Sequence, residues 1–144
     1  MKATLHQGGS FTDDRGTLRF VNEKDPGNYR RFYIITHADT TVIRAWQGHL
    51  HEEKAFYAIR GSFMIAVVNP ACFEEPADDE NPDFFQITEE NKHFLRVPGG
   101  CYTGIKALAP DSMLLVLSAL DFGGSKADDY RQPAHRWVDW NSIA

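Results

Sequence analysis

The stretch Val42-Ile43-Arg44-Ala45-Trp46-Gln47-Gly48-His49-Leu50-His51-Glu52-Glu53-Lys54-Ala55-Phe56-Tyr57-Ala58-Ile59-Arg60-Gly61-Ser62-Phe63-Met64-Ile65-Ala66-Val67-Val68 decides the fold class. Runs of β-branched, aromatic and other apolar residues at 41–46, 55–59 and 63–68 are split by a polar cluster and by a glycine turn. Short apolar runs bounded by turn residues read as strands. Arg60-Gly61-Ser62 reads as the turn of a hairpin. Alternation along a strand places Val42, Arg44 and Trp46 on one face.

The same pattern continues on both sides. Strand-like runs recur at 17–21, 31–36, 84–88, 94–97, 103–107 and 113–120. Gly8-Gly9, Asp13-Asp14-Arg15-Gly16, Asp25-Pro26-Gly27-Asn28, Asn69-Pro70, Asn81-Pro82-Asp83, Pro98-Gly99-Gly100, Ala109-Pro110-Asp111 and Gly123-Gly124 punctuate them. Close, regular turn spacing predicts an all-β sandwich or barrel. Only Thr88-Glu89-Glu90-Asn91 and residues 125–130 carry signals for a turn or two of helix. Residues 71–83 hold Glu74, Glu75, Asp78, Asp79 and Glu80 with few strand formers, and read as an acidic loop between strands. Phe84 and Phe85 read as core. No repeat or linker divides the chain, so residues 1–144 are expected to form a single domain.

Composition excludes several functions. Fifteen Lys and Arg against twenty Asp and Glu give a net charge of −5 over 144 residues. Such a chain offers no basic stripe to displace phosphate counterions, so no nucleic-acid partner is expected. The longest apolar run, 113–117, is far short of a membrane span, and residues 1–9 hold no apolar signal region. The expected location is the cytoplasm, with no membrane partner. Cys72 and Cys101 are too few for a disulfide framework and are expected as buried or half-buried free thiols.

Two stretches could carry chemistry. In Gln47-Gly48-His49-Leu50-His51-Glu52-Glu53-Lys54, period-two alternation points His49 and His51 the same way, as metal ligands or as an acid/base pair. A polar strand end facing solvent is the alternative. In Val97-Pro98-Gly99-Gly100-Cys101-Tyr102-Thr103-Gly104-Ile105, a tight turn leads Tyr102 into a strand, where its hydroxyl could meet a ligand or simply be satisfied in the core. Arg15 and Arg44 are candidates for gripping phosphate oxygens, against local pairing, which for Arg15 would involve Asp13 or Asp14. Trp46 could line a barrel mouth and stack on a base, or be core. His6, His37, His93 and His135 show no partner pattern, and Cys101 reads as inert packing.

These motifs resemble the cupin superfamily. His49-Leu50-His51 and Gly61 match parts of its first motif, and Pro98, Gly100 and Thr103 match its Pro-x-Gly-x-x-His with Thr in the last place. The Glu expected after the His pair is replaced, with Ala55 and Phe56 standing there. Two imidazoles make a poor Fe, Mn or Zn site, so neither a metal nor another cofactor is expected.

A closer resemblance is to the metal-free nucleotide-sugar cupins, the dTDP-4-dehydrorhamnose 3,5-epimerases and dTDP-sugar 3,4-ketoisomerases. It is carried by Asp14-Arg15-Gly16-Thr17-Leu18, by residues 42–49, by Lys54 and Arg60-Gly61, and by Thr88-Glu89-Glu90-Asn91-Lys92. Leu95 to Gly100, Gly104, Asp128-Asp129-Tyr130-Arg131 and Trp137-Val138-Asp139-Trp140-Asn141 extend it to the C-terminal region. The resemblance implies a jelly-roll barrel, a homodimer with strands shared across the interface, and a pocket for a nucleoside-diphosphate sugar. It implies isomerisation by proton abstraction next to a ketone. His49, His51, Tyr102 and Lys54 would then be catalytic, and Arg15, Arg44, Trp46, Gln47 and Thr103 would bind substrate. The family's usual catalytic His is replaced by Gln47, whose amide takes no proton near neutral pH. Its second-motif His is Thr103. Two other readings follow: a sugar-nucleotide-binding protein that has lost the chemistry, and a metal-dependent cupin using His49 and His51.

Overall fold

The computed structural model describes residues 2–22 and 27–144. The turn expected at Asp25-Pro26 lies outside the described residues. Twelve strands are described, β1 Thr4–Gln7, β2 Gly9–Asp13, β3 Gly16–Phe20, β4 Arg31–Thr36, β5 Ile43–His49, β6 Lys54–Arg60, β7 Ser62–Val68, β8 Asp83–Thr88, β9 His93–Val97, β10 Cys101–Ala107, β11 Met113–Ser118 and β12 Tyr130–Arg131. One helix, α1, covers Phe122–Ala127, and a 3-10 turn covers Trp140–Ser142. The strand runs read from the sequence are present; β1, β2 and β12 carry too few apolar residues to stand out.

Two five-stranded antiparallel sheets face each other, ordered β1-β9-β6-β11-β4 and β12-β5-β10-β7-β8, while β2 and β3 form a separate hairpin. From β4 to β7 each strand crosses to the opposite sheet, β7 and β8 pair, and crossing resumes from β8 to β11. This is a jelly roll. The expected hairpin at Arg60-Gly61-Ser62 is therefore corrected. Gly61 joins β6 and β7 across the two sheets at a corner. Its φ of +77° suits only glycine, and a Cβ there would run into Ser112 Oγ.

Other local expectations also change. Residues 88–92 form a turn, not a helix: the Asn91 amide N–H donates to Thr88 Oγ1 at 2.9 Å, and the Thr88 N–H donates to Asn91 Oδ1 at 3.0 Å. The second helical signal is displaced. Gly123 and Gly124 lie inside α1, whose N-terminus Asp121 caps by accepting the Gly124 N–H at 2.7 Å. Phe85 packs on the core but Phe84 is exposed, because alternate residues of β8 face opposite ways. Cys72 is exposed, while Cys101 is buried with its thiol pushed up to about 11 by burial.

The main core lies between the sheets, with Phe56, Phe63, Ile65, Ile87, Leu95, Leu114 and Val116 essentially inaccessible. Each such side chain contributes roughly 1.5–3 kcal/mol relative to an exposed one. A second cluster covers the outer face of the β5–β10–β7 sheet, where Trp46, Phe73, Tyr102, Val138 and Trp140 pack together. Loop 69–82 and the C-terminal segment supply Phe73, Val138 and Trp140. The acidic loop thus joins β7 to β8, as read from its composition. No helix among the described residues is long and apolar enough to cross a membrane.

Candidate active site

A β-bulge sets which side chains enter the barrel. Thr103 of β10 opposes Gln47 of β5, but Ile105 opposes Arg44, so Ala45 and Trp46 together face Gly104. The extra residue brings Arg44 into phase with Gln47, and both line a cavity of about 270 Å³ with Thr103, Ile105, Lys54 and Tyr33. Trp46 goes the other way, onto Trp137 and Trp140 at ring-centroid distances of 5.1 and 5.7 Å. The expectation that Arg44 and Trp46 share a face is thereby overturned. Trp46 is aromatic packing, not a barrel-mouth platform.

Tyr102 is corrected for a related reason. Thr103 faces the cavity, so Tyr102 faces out. Its ring stacks on Phe73 at 4.7 Å and its hydroxyl donates to the Phe73 carbonyl at 2.9 Å. Arg15 sits in the β2–β3 turn with its side chain 84% exposed, and donates to Asp13 Oδ2 at 2.7 Å through Nη2. The paired guanidinium holds Asp13 below the usual carboxylate range. Within one chain, Arg15 lines no part of the barrel cavity.

His49 and His51 diverge. β5 ends at His49, and His51 lies in the following bend, exposed to solvent. Asp128 causes the bend. Its carboxylate accepts the N–H groups of Leu50 at 2.9 Å, His51 at 2.8 Å and Glu52 at 2.9 Å. Three converging amides curl the backbone out of the extended form that alternation assumed. Among the described residues, no three His, Cys, Asp or Glu side chains converge as a metal-binding group.

His49 is buried, and its Nδ1 lies 2.6 Å from the Asp128 carbonyl oxygen. A carbonyl only accepts, so Nδ1 carries the proton and the Nε2 lone pair is free. Among the described residues, Nε2 is buried without a partner. Burial first, then the Lys54 charge, hold the imidazole below its ordinary pKa, against the opposing pull of Glu52 and Asp128. His49 is therefore neutral and basic at Nε2 near pH 7.

Lys54, at the start of β6, is also buried, with Nζ 3.5 Å from Gln47 Oε1 and 5.9 Å from the Tyr33 ring centroid. Burial pushes its ammonium down to about 8, although Glu52 favours the charged form. A second cavity of about 250 Å³ adjoins the first through Tyr33, Gln47 and Lys54, and is further lined by His49, Glu52 and Arg31. Arg44 makes no ion pair among the described residues, whereas Arg131 at the cavity edge is held by Asp129 at 2.8 Å. That guanidinium holds Asp129 below the usual carboxylate range, with a smaller contribution from the Gln47 amide.

The structure thus brings together Arg44, Gln47, His49, Lys54 and Thr103. It leaves Arg15, Trp46, His51 and Tyr102 outside. Sequence reasoning missed Arg31, Tyr33, Glu52, Asp128 and Asp129 as site residues. Asp128 and Asp129 lay in the C-terminal motif quoted above, and Glu52 stood three residues from His49. The arrangement offers one neutral imidazole with a free lone pair beside a buried ammonium, and an unpaired guanidinium on the wall of the adjoining cavity. That set suits proton transfer next to a group that gains negative charge.

No protein-family model matches the sequence. A probable low-salt glycan biosynthesis epimerase of Haloferax volcanii is 29% identical over 110 residues, covering 72% of this chain and 68% of that protein. The QdtA sugar 3,4-ketoisomerase of Thermoanaerobacterium thermosaccharolyticum, solved with TDP, superposes with a TM-score of 0.73 at 18% identity, covering 94% and 91% of the two chains. A variant of QdtA has been solved with TDP-4-keto-6-deoxyglucose. A dTDP sugar isomerase of Desulfovibrio desulfuricans G20 superposes with a TM-score of 0.77 at 14% identity, covering 99% and 92%. The chain has the all-β, cupin-type fold of the dTDP-sugar isomerases, the fold its motifs resembled.

Proposed function

We propose that the chain is a metal-independent isomerase, an epimerase or 3,4-ketoisomerase, acting on a nucleotide-linked 4-keto-6-deoxy sugar in deoxysugar biosynthesis. The observation that carries this reading is His49, its Nδ1–H tied to the Asp128 carbonyl and its Nε2 lone pair unpartnered beside Lys54. Nε2 takes the proton on the carbon next to the substrate ketone. Electron density moves onto the ketone oxygen, and the Lys54 ammonium stabilises the resulting enolate. For a ketoisomerase, the hydroxyl on the deprotonated carbon gives its proton to the enolate oxygen, and Nε2 returns its proton to the former carbonyl carbon; for an epimerase, solvent water protonates the same carbon from the opposite face of the ring, and Nε2 releases its proton to solvent. Gln47 contributes hydrogen bonds and no proton transfer. Arg44, unpaired at the cavity wall, holds the diphosphate.

The protein is proposed to work as a homodimer. On the outer face of the β1–β4 sheet, Phe32 is 66% and Ile34 49% exposed, and Phe11 and Leu18 of the β2–β3 hairpin are each 60% exposed. Apolar exposure on a sheet and a hairpin together fits cover by a second copy. Arg15, on that hairpin, then meets substrate only across the interface. The test is NMR-detected solvent-deuterium incorporation into dTDP-4-keto-6-deoxyglucose. Incorporation supports the isomerase, and the labelled carbon tells epimerase from ketoisomerase. Binding without incorporation favours a sugar-nucleotide-binding protein, the second reading, which Gln47 and Thr103 in place of two imidazoles support.

A further inference from the structure

We propose that Glu52 is the charge partner of His49, carrying the counter-charge when Nε2 becomes protonated. The proposal rests on the reading of His49 as the base. The Glu52 side chain is fully buried, and its Oε2 stands 3.5 Å from His49 Nδ1. Two hydroxyls saturate the other oxygen: Ser118 Oγ donates to Oε1 at 2.7 Å, and Ser125 Oγ at 2.8 Å. Among the described residues Oε2 accepts no hydrogen bond. The carboxylate is therefore pinned from β11 and α1 with its open oxygen toward the imidazole.

The backbone fixes the pair further. The Glu52 N–H donates to Asp128 Oδ2 at 2.9 Å, and the same Asp128 takes the His49 Nδ1–H on its carbonyl. One residue after α1 thus sets both the tautomer of His49 and the place of Glu52. Arg31 and Tyr33 face the pair from β4, Lys54 from β6, and Asp128 and Asp129 from beyond α1. Arg31 Nη2 stops 4.0 Å from Glu52 Oε1, on the side away from the imidazole contact. In the resting enzyme the pair is a neutral imidazole and a carboxylate. After proton abstraction it becomes a buried imidazolium–carboxylate pair, which favours the charge formed in the transition state over the ground state.

A purely structural tie from the β5–β6 crossover to β11 and α1 predicts a folded Glu52→Gln whose kcat is unchanged. Kinetics together with NMR of specifically labelled protein separate the two. In wild type, the Glu52 carboxyl carbon signal is expected to shift as His49 titrates. In Glu52→Gln, His49 is expected to titrate at lower pH. kcat should fall about tenfold or more with KM nearly unchanged, and Glu52→Asp should restore part of it. A protonated Glu52 near pH 7, or a Glu52 signal blind to His49, overturns the assignment even if Glu52→Gln fails to fold. An unshifted His49 titration in a folded Glu52→Gln overturns it as well. If wild type exchanges no deuterium while the two groups titrate together, the isomerase reading fails and the pairing of Glu52 with His49 stands.

Discussion

The Asp128 carbonyl oxygen accepts the Nδ1–H of His49 at 2.6 Å while the Asp128 carboxylate gathers the amides of Leu50, His51 and Glu52. The Asp128 side chain shapes the crossover, and its backbone carbonyl aims the base. Removal of the side chain should therefore destabilise the crossover that carries His49. Asp128→Ala leaves three amides without acceptors in a partly buried turn, and should cost about 3 kcal/mol. Asp128→Asn keeps one acceptor oxygen and should cost less. Denaturant unfolding of the three proteins checks the order, and equal midpoints for wild type and Asp128→Ala would contradict it.

Lys54 carries a pH dependence of definite sign. Its folded pKa of about 8 lies below the ordinary 10.5. The folded state thus binds fewer protons than the unfolded state between these values, so this group's contribution to stability rises as pH climbs from about 8 to 10.5. Activity should move oppositely, because the enolate needs the ammonium. kcat is expected to fall as pH passes about 8. Lys54→Met should lose about 10²–10³-fold in kcat, as removal of an oxyanion donor does. A kcat that keeps rising past pH 9 would remove Lys54 from the transition state.

Much of this arrangement was legible in the sequence, and the failures share a cause. Runs such as 63–68 and 113–118 are short, almost wholly apolar and edged by turn residues, so their strand character is local. Tyr102 and Trp46 could not be oriented locally. Their outward direction depends on Trp137, Val138 and Trp140 arriving to cover that face. The bulge at Ala45 and Trp46 exists only against β10, so alternation within β5 alone put Trp46 on the same face as Arg44. Gly61 has the same turn chemistry in a hairpin as in a corner between sheets. Glu52 stands three residues from His49, the spacing that an i, i+3 pair across a bend requires, but the bend itself is set by Asp128 from far along the chain.

Arg44 lines the cavity without an ion pair among the described residues. Arg44→Ala should weaken TDP binding about tenfold or more, the loss of a charge-assisted hydrogen bond. Isothermal titration with TDP alone reads this without any turnover. Equal affinity would place the diphosphate elsewhere.

Phe32 and Ile34 are exposed on β4, an edge strand whose partner is β11. If a second copy covers them, wild type sediments as a dimer and Phe32→Asp as a monomer with its far-ultraviolet spectrum intact. A wild-type monomer at micromolar concentration would contradict this assembly.

The central claim is that the His49 Nε2 lone pair abstracts the proton. The most direct measurement pairs wild type with His49→Ala in deuterated solvent with dTDP-4-keto-6-deoxyglucose, following the sugar carbons by NMR and binding by calorimetry. The account predicts deuterium at a carbon next to the ketone with wild type, none with His49→Ala, and similar affinity for both. Undiminished exchange in His49→Ala would contradict it.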